Sequence, residues 1–492
     1  MVGPYDQPYR SSLSRSTTST RDNLGYIVML PKTAVPIRLD YTLRDLYSDN
    51  NEDDLNTTLI YYPLQFGYMH ESSSAKYVYG YTLQSDDEKA ASSFAMAANM
   101  VPQRYAFSAG QMPLIILDFD SSNKPREGNH KDCQTIDELP AHQLDIRRTF
   151  SQLVPNQQPN LTFANSPESI SLDSGARIAV LLPTDCLSQL PHVVHPETHY
   201  EILSKRGLAL SGLPTPPSQV IDTGLIDSDD PIPLKQEVAR MIESIDQRQV
   251  PFVIKLPQSI SGMGTFLITT EVERGRVKTL LTEQFGVMLR QLNRSNHHLY
   301  PCSIVLQDFV TGPVVALSLF ITKTGQPRFI ACCEQRFDEQ GHWIGGSISY
   351  RQQARLREAF AVIMQMVADF LHSKGYHGPA GVDIVTDDRS GEQLIIDLNV
   401  RVTGTFHLGP LTGHFTQRGL FEAGMTTVDF PCSRDTFEQM FAEEIRNGSL
   451  VVSGWVHGES CQLSHAAITI GAREPDELEE YFGCIKAATL HS

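Results

Sequence analysis

The sequence predicts a mixed α/β and α+β protein, on three observations. The stretch up to about residue 195 alternates short apolar strands with helical segments, the pattern of a partly parallel sheet with covering helices. Residues 303–336 carry β-prone runs joined by glycine-containing turns, the pattern of an antiparallel meander. Residues 351–373 form the clearest amphipathic helix, with Leu356, Phe360, Ile363, Val367 and Phe370 at helical spacing. A hairpin signal follows that helix directly.

Composition narrows the function. At 492 residues the chain is long enough for several domains and ample core. Its 41% hydrophobic and 20% charged content is that of an ordinary globular protein. A net charge of −17 argues against general nucleic-acid binding and against an anionic membrane surface, while leaving room for a local basic pocket. The eight cysteines lack zinc-ligand spacing and read as reduced, small buried hydrophobes. No secretory signal and no bilayer-spanning apolar run is evident, so a soluble, cytoplasmic protein is expected.

In chain order, residues 10–23 are rich in Ser, Thr and Arg without hydrophobic periodicity, and residues 1–24 are expected to be disordered. An acidic loop is expected at 49–54 and a polar, turn-rich one at 124–138. Strands at 58–62, 114–119 and 177–182, with a helix at 88–100, make an α/β domain over 25–195. It has no G-x-G-x-x-G, so no dinucleotide site is assigned. Pro196 and Glu197 suit the first turn of a helix running to about Leu210. On that helix Lys205 reads as an ordinary surface lysine. Residues 211–217 end it and lead into an extended segment at Val220 and Ile221.

The next strand, Phe252-Val253-Ile254-Lys255-Leu256, is interrupted by a lysine, which needs a partner or a use inside an apolar run. After it come Ser259-Ile260-Ser261-Gly262-Met263-Gly264 and a second strand at 266–269. Small residues and glycines let backbone N–H groups approach phosphate oxygens. The loop lacks G-K-[ST] and joins two strands, so it is not a Walker loop, and a plain hairpin is the alternative. A strand at 303–310 carries Gln307 and Asp308, and the meander continues through 314–322 and 328–336. Residues 338–347 hold glycines beside Trp343, which suits a loop that approaches a ligand or a long hairpin.

The hairpin pairs 382–385 with 394–398 through a polar turn at 386–391. It brings Asp383 near Asp397 and Asn399, and the latter two, two residues apart, share a face. Two carboxylates and an amide suit Mg²⁺ that also holds phosphate oxygens; a surface hairpin with charged edges is the alternative. Strands at 450–456 and 466–471 with a helix at 475–486 read as a small terminal α/β unit.

The order of these parts resembles the ATP-grasp superfamily over roughly residues 194–430, about half the chain. Five motifs carry it: Lys205 before GLPTP, FVIKL with SISGMG, IVLQDFVTG, GVDIV and IIDLNVR. The resemblance implies a pre-ATP-grasp domain at 25–195, a two-lobed ATP-grasp domain at 196–430 with a lid at about 250–306, and a small C-terminal domain at 431–492. That last unit is similar to the C-terminal domain of peptide-forming ligases of natural-product pathways. It implies ATP and Mg²⁺ as cofactors. Lys205 and Lys255 would contact the phosphates, with Ser261, Gly262 and Gly264 in the glycine loop. The backbone of Asp308 and Val310 and the side chain of Gln307 would hold adenine. Asp383, Asp397 and Asn399 would bind Mg²⁺, and Arg401 would face the transferred phosphoryl group or a substrate carboxylate, making Arg401 and Lys255 the catalytic pair. Two positions depart from the pattern. The usual second metal glutamate is Asp397, and Gly312-Pro313-Val314 offers no acid for ribose.

The implied activity is a carboxylate–amine ligase: a carboxylate, activated as an acyl phosphate, is joined to an amine with release of ADP and phosphate. Its partners are a small-molecule acid and amine, amino acids among them, with no nucleic acid or membrane, and a homo-oligomer is compatible. An ATP-binding regulatory or scaffold protein on a decayed grasp fold is the alternative. His407 reads as structural, with substrate orientation or a role as base as the other options. Arg336 and Arg351 suit a carboxylate clamp or surface ion pairs.

Overall fold

The computed structural model describes residues 34–48, 56–63, 75–79, 88–118, 140–226, 231–259, 262, 264–338, 343–458 and 461–490. The expectations for residues 1–24, 49–54 and 124–138 fall wholly outside these.

The first sheet is parallel, made of β1 (Thr57–Tyr61), β2 (Pro113–Leu117), β3 (Asn160–Ala164) and β4 (Arg177–Val180) in the order β3-β2-β1-β4. The central strands are almost wholly buried, as continuous apolar runs in a covered parallel sheet should be. Helix Glu88–Ala106 runs past its expected end at Met100, so that Arg104 and Tyr105 lie in its last turn.

The second sheet is antiparallel. It contains β5 (Ser218–Ile221), β6 (Phe252–Lys255), β7 (Thr265–Ile268) and β8 (Ile304–Asp308) in the order β5-β8-β6-β7. Helices Pro231–Asp246 and Glu271–Leu289 cover it, with Met241, Ile245, Leu281 and Phe285 packed in one core with Phe252, Ile254 and Leu306. The strand expected to open the meander is therefore β8 of this sheet. The chain leaves it at 309–313, where Thr311 O and Pro313 O accept from Asp388 N and Thr386 N at 2.9 and 3.0 Å.

The third sheet has eight antiparallel strands: β9 (Val314–Ile321), β10 (Pro327–Phe337), β11 (Trp343–Ser349), β12 (Gly378–Thr386), β13 (Gln393–Asn399), β14 (Glu422–Phe430), β15 (Leu450–Gly458) and β16 (Leu463–Ala472). Their order is β13-β12-β9-β10-β11-β14-β16-β15. The terminal strands thus extend the sheet that carries the hairpin, while Phe430, Phe437, Trp455 and Ile468 form a core of their own with helix Pro475–Leu490. Trp343 and its neighbouring glycines form the strand β11, paired on both sides with β10 and β14, rather than a loop.

Two expected helices are interrupted. Pro196–Leu203 and Lys205–Ala209 are separated by Ser204, whose extended backbone and Oγ, accepting from Gly207 N at 2.7 Å, start a new helix. This is the behaviour of an N-cap serine. Gln353–Ala359 and Ala361–Ser373 are interrupted at Phe360, and the second packs Ile363, Val367 and Leu371 into the core with β9 and β10. Cys302, Cys332 and Cys333 are buried as expected, whereas Cys186, Cys461 and Cys484 are exposed; none of these six is in a disulfide. Among the described residues no helix is long and apolar enough to cross a membrane.

Candidate active site

Across the hairpin, Asp383 is the register partner of Asp397, and Gly381 of Asn399. Directly opposed residues of an antiparallel pair project to one face. Asp383, Asp397 and Asn399 are therefore together, with Asn399 Nδ2 3.4 Å from Asp397 Oδ2. The apolar residues between them, Val382, Ile384 and Leu398, face the core and fix the register.

Two lysines reach this face from elsewhere. Lys205, the first residue of the helix capped by Ser204, is buried and pairs its ammonium with Asp397. It is not a surface lysine. Its backbone N–H donates to Pro257 O at 2.8 Å, tying the helix to the glycine loop. Lys255, also buried at the end of β6, donates to Ile396 O at 2.5 Å.

The charges act on one another. Burial, reinforced by the facing Asp397, pushes the Asp383 carboxyl up to about 7. Burial pushes Asp397 the same way, but the Lys205 and Lys255 ammoniums outweigh it and hold this carboxyl below its ordinary value. Burial brings Lys255 down to about 8, with Asp397 opposing that shift. Two facing carboxylates and an adjacent amide make a donor set for a hard divalent cation, which would relieve their repulsion.

In the glycine loop, Gly262 and Gly264 both adopt φ +77°. A Cβ on Gly264 would lie 2.9 Å from Ser259 Cβ, so this turn requires glycine on two counts. Ser261 lies outside the described residues. Gly262, Thr265, Lys205 and Lys255 line one part of a cleft of about 280 Å³. The cleft follows the polar face of the hairpin to Arg401 and meets Tyr105 and Trp343 there. Arg401 is buried; its Nη2 donates to Asn399 Oδ1 at 3.1 Å, and its Nη1 to Val402 O at 3.1 Å and Tyr105 Oη at 3.3 Å.

Several sequence assignments are not brought to this cleft. Gln307 donates to Ser218 Oγ at 3.0 Å, the Asp308 N–H donates to Pro217 O at 2.9 Å, and the Asp308 carboxylate pairs with Arg248. Pairing with β5 and the turn before it occupies these groups, and none of Gln307, Asp308 and Val310 lines the cleft. Arg336 and Arg351 clamp Glu479 and Glu474 instead of a ligand. His407 is buried against Thr469 Oγ1 at 2.8 Å, and burial pushes its imidazole down to about 3, as befits a neutral structural histidine.

No local pattern points to Tyr105, which is 296 residues from Arg401 along the chain. Nor did it reveal Gln335, whose side chain bonds Asp383. Trp343 was visible only as a rare residue beside glycines; in the fold it packs on Gly404, where a Cβ would meet its ring at 2.5 Å.

Residues 282–405 match the family model of the ATP-grasp domain. The chain carries an ATP-grasp domain. The matched stretch contains Asp383, Asp397, Asn399 and Arg401, and begins beyond Lys205 and Lys255. Among solved structures, N5-carboxyaminoimidazole ribonucleotide synthetase from Thermus thermophilus is 13% identical, with 80% of this chain and 96% of that chain covered and a TM-score of 0.44. The Staphylococcus aureus N5-carboxyaminoimidazole synthetase in complex with ADP is 12% identical, with 87% and 96% covered and a TM-score of 0.46. Phosphoribosylamine–glycine ligase from Thermotoga maritima is 11% identical, with 77% and 91% covered and a TM-score of 0.42. No curated protein sequence matches the chain.

Proposed function

We propose that this ATP-grasp protein is an ADP-forming carboxylate–amine ligase. The observation that carries the reading is the convergence of Asp383 and Asp397, in register across the hairpin, with Lys205 and Lys255 beside them. Lys205, Lys255 and the backbone around Gly262 would bind the phosphates of ATP. Asp383, Asp397 and Asn399 would hold Mg²⁺, which supplies charge neutralisation to the phosphate oxygens. A substrate carboxylate attacks the γ-phosphorus, the bond to the ADP oxygen breaks, and an acyl phosphate forms. The amine then attacks the acyl carbon, losing a proton, and phosphate departs. The protein positions these partners and neutralises developing charge, so no covalent nucleophile is required. In this reading the sheet of β5–β8 with its helices is the lobe that covers the nucleotide, and the sheet preceding residue 195 belongs to a separate pre-grasp domain.

The test is an ADP-release assay over a panel of acids and amines, with amino acids in both roles. Ligase activity requires ADP release that depends on acid, amine and Mg²⁺ together. Thermal stabilisation by MgADP without turnover across the panel would favour an ATP-binding protein without catalysis.

A further inference from the structure

The far end of the cleft carries buried positive charge without a matching anion among the described residues. Arg401 is 7% exposed and its three bonds go to neutral oxygens, on Tyr105, Val402 and Asn399. Its Nε has no partner among the described residues. Tyr105 is 6% exposed, and its hydroxyl accepts from Arg401 and from Arg104 Nη2 at 3.2 Å. With two donors aimed at that oxygen, the phenol's own proton has no acceptor among the described residues. Buried donors left unpaired are costly, and a buried guanidinium without an anion more so. Both side chains line the cleft, so the arrangement is incomplete until an anion enters it.

The surroundings restrict what that anion can be attached to. Tyr105, Phe337 and Trp343 are aromatic, and Ala316 and Leu317 add apolar surface. Trp343 is held in place: the Arg104 guanidinium lies 5.2 Å from its ring centroid, and the edge of its six-membered ring packs on Gly404. The carboxylates lining the cleft among the described residues are Asp383 and Asp397, both on the hairpin face and Asp397 already paired with Lys205. Among the described residues, the aromatic end therefore offers an incoming ammonium group no counter-charge.

We infer that Tyr105 and Arg401 form the seat for the substrate's carboxylate, and that the acid is one whose carboxylate is carried on a flat, apolar body without an α-ammonium group. The assignment rests on the ligase reading for its place in a reaction. It adds Tyr105, a residue outside the segment that matches the ATP-grasp family, as a binding residue, and Trp343 as the wall that sets specificity.

The experiment is a fluorescence titration of the full chain with 3-phenylpropionate, acetate and L-phenylalanine, each with and without MgADP. The chain has two tryptophans, and Trp455 is fully buried in the core beside the terminal helix, so Trp343 reports on the cleft and Trp343→Phe supplies the blank. Expected is binding of 3-phenylpropionate about tenfold or more tighter than either competitor, weakened about tenfold by Tyr105→Phe with MgADP affinity unchanged. Trp343→Leu, which lacks the reporter and is therefore followed by calorimetric titration, should abolish the preference over acetate. Equal binding of the three probes, tighter binding of L-phenylalanine, or an unaltered Tyr105→Phe titration would overturn the inference. MgADP binding, followed separately by thermal shift, judges the ligase reading: its absence beside the expected acid preference removes that reading and leaves the seat standing.

Discussion

Asp383 and Asp397 face each other directly across an antiparallel hairpin, and they titrate in opposite directions because only Asp397 has a lysine bonded to it. Without a cation between them they repel. Asp383→Asn should therefore raise the melting temperature of the ligand-free chain. The same change should lower Mg²⁺-dependent ADP release by about a hundredfold or more, the scale of several kcal/mol of charge stabilisation. Asn399→Ala should lower turnover more than nucleotide affinity. Wild-type kinetics in both variants would remove the metal assignment.

Lys255 poses the same conflict with the opposite sign. Burial lowers its pKa to about 8, and its ammonium is bonded to a single carbonyl, Ile396 O. Lys255→Met keeps the side-chain length and removes the buried charge. The variant should unfold at equal or higher urea concentration while binding MgADP at least about tenfold more weakly, the loss of one charge-assisted contact. Calorimetric titration beside a urea curve measures both. Unchanged MgADP affinity would show that Lys255 serves the fold alone.

These two predictions rest on residues that local pattern exposed. The alternation of Val382, Ile384 and Leu398 with Asp383, Asp397 and Asn399 specifies which face is polar, and register follows from burying the other. Lys255 stood out as a charge in an apolar strand. What stayed hidden depends on partners distant in the chain. Tyr105 reaches Arg401 from another sheet's helix, and β5 takes up the groups of Gln307 and Asp308 that looked available. Arg336 and Arg351 looked equally suited to a ligand until the terminal helix and the residue before it supplied Glu479 and Glu474. The break at Ser204 was legible in principle, since serine is an N-cap residue, but helical spacing on both sides concealed it.

Acid should unfold the chain earlier than its carboxylates alone dictate. Burial lowers His199, His377 and His414 to about 4 and His407 to about 3. Each stays neutral in the fold while the unfolded chain protonates near pH ~6.5. The stability they confer is thus complete above that pH and is lost as pH falls through 6.5 toward their folded values. At pH 5.5 each such histidine costs about 1.4 kcal/mol relative to neutral pH. Urea midpoints at pH 7.5 and 5.5 measure the loss, and His407→Gln should reduce the difference by about that amount. Equal midpoints at the two pH values would contradict the assignment.

Gly404 and Trp343 supply the most local test of the site's shape. A Cβ at position 404 would lie 2.5 Å from Trp343 Cη2 and 3.1 Å from Cζ2. The indole cannot retreat freely, because it packs against the main core and the Arg104 guanidinium, which also bonds Tyr105, lies 5.2 Å from its ring centroid. Gly404→Ala should therefore destabilise the fold by about 1–3 kcal/mol, as overpacking does elsewhere. Trp343→Leu removes the ring and should recover most of that loss, giving a coupling above about 1 kcal/mol in a double-mutant cycle. Urea denaturation of the two single variants and the double variant supplies all the terms. Additivity within about 0.5 kcal/mol would mean that the backbone, rather than the indole, is what demands glycine at this position.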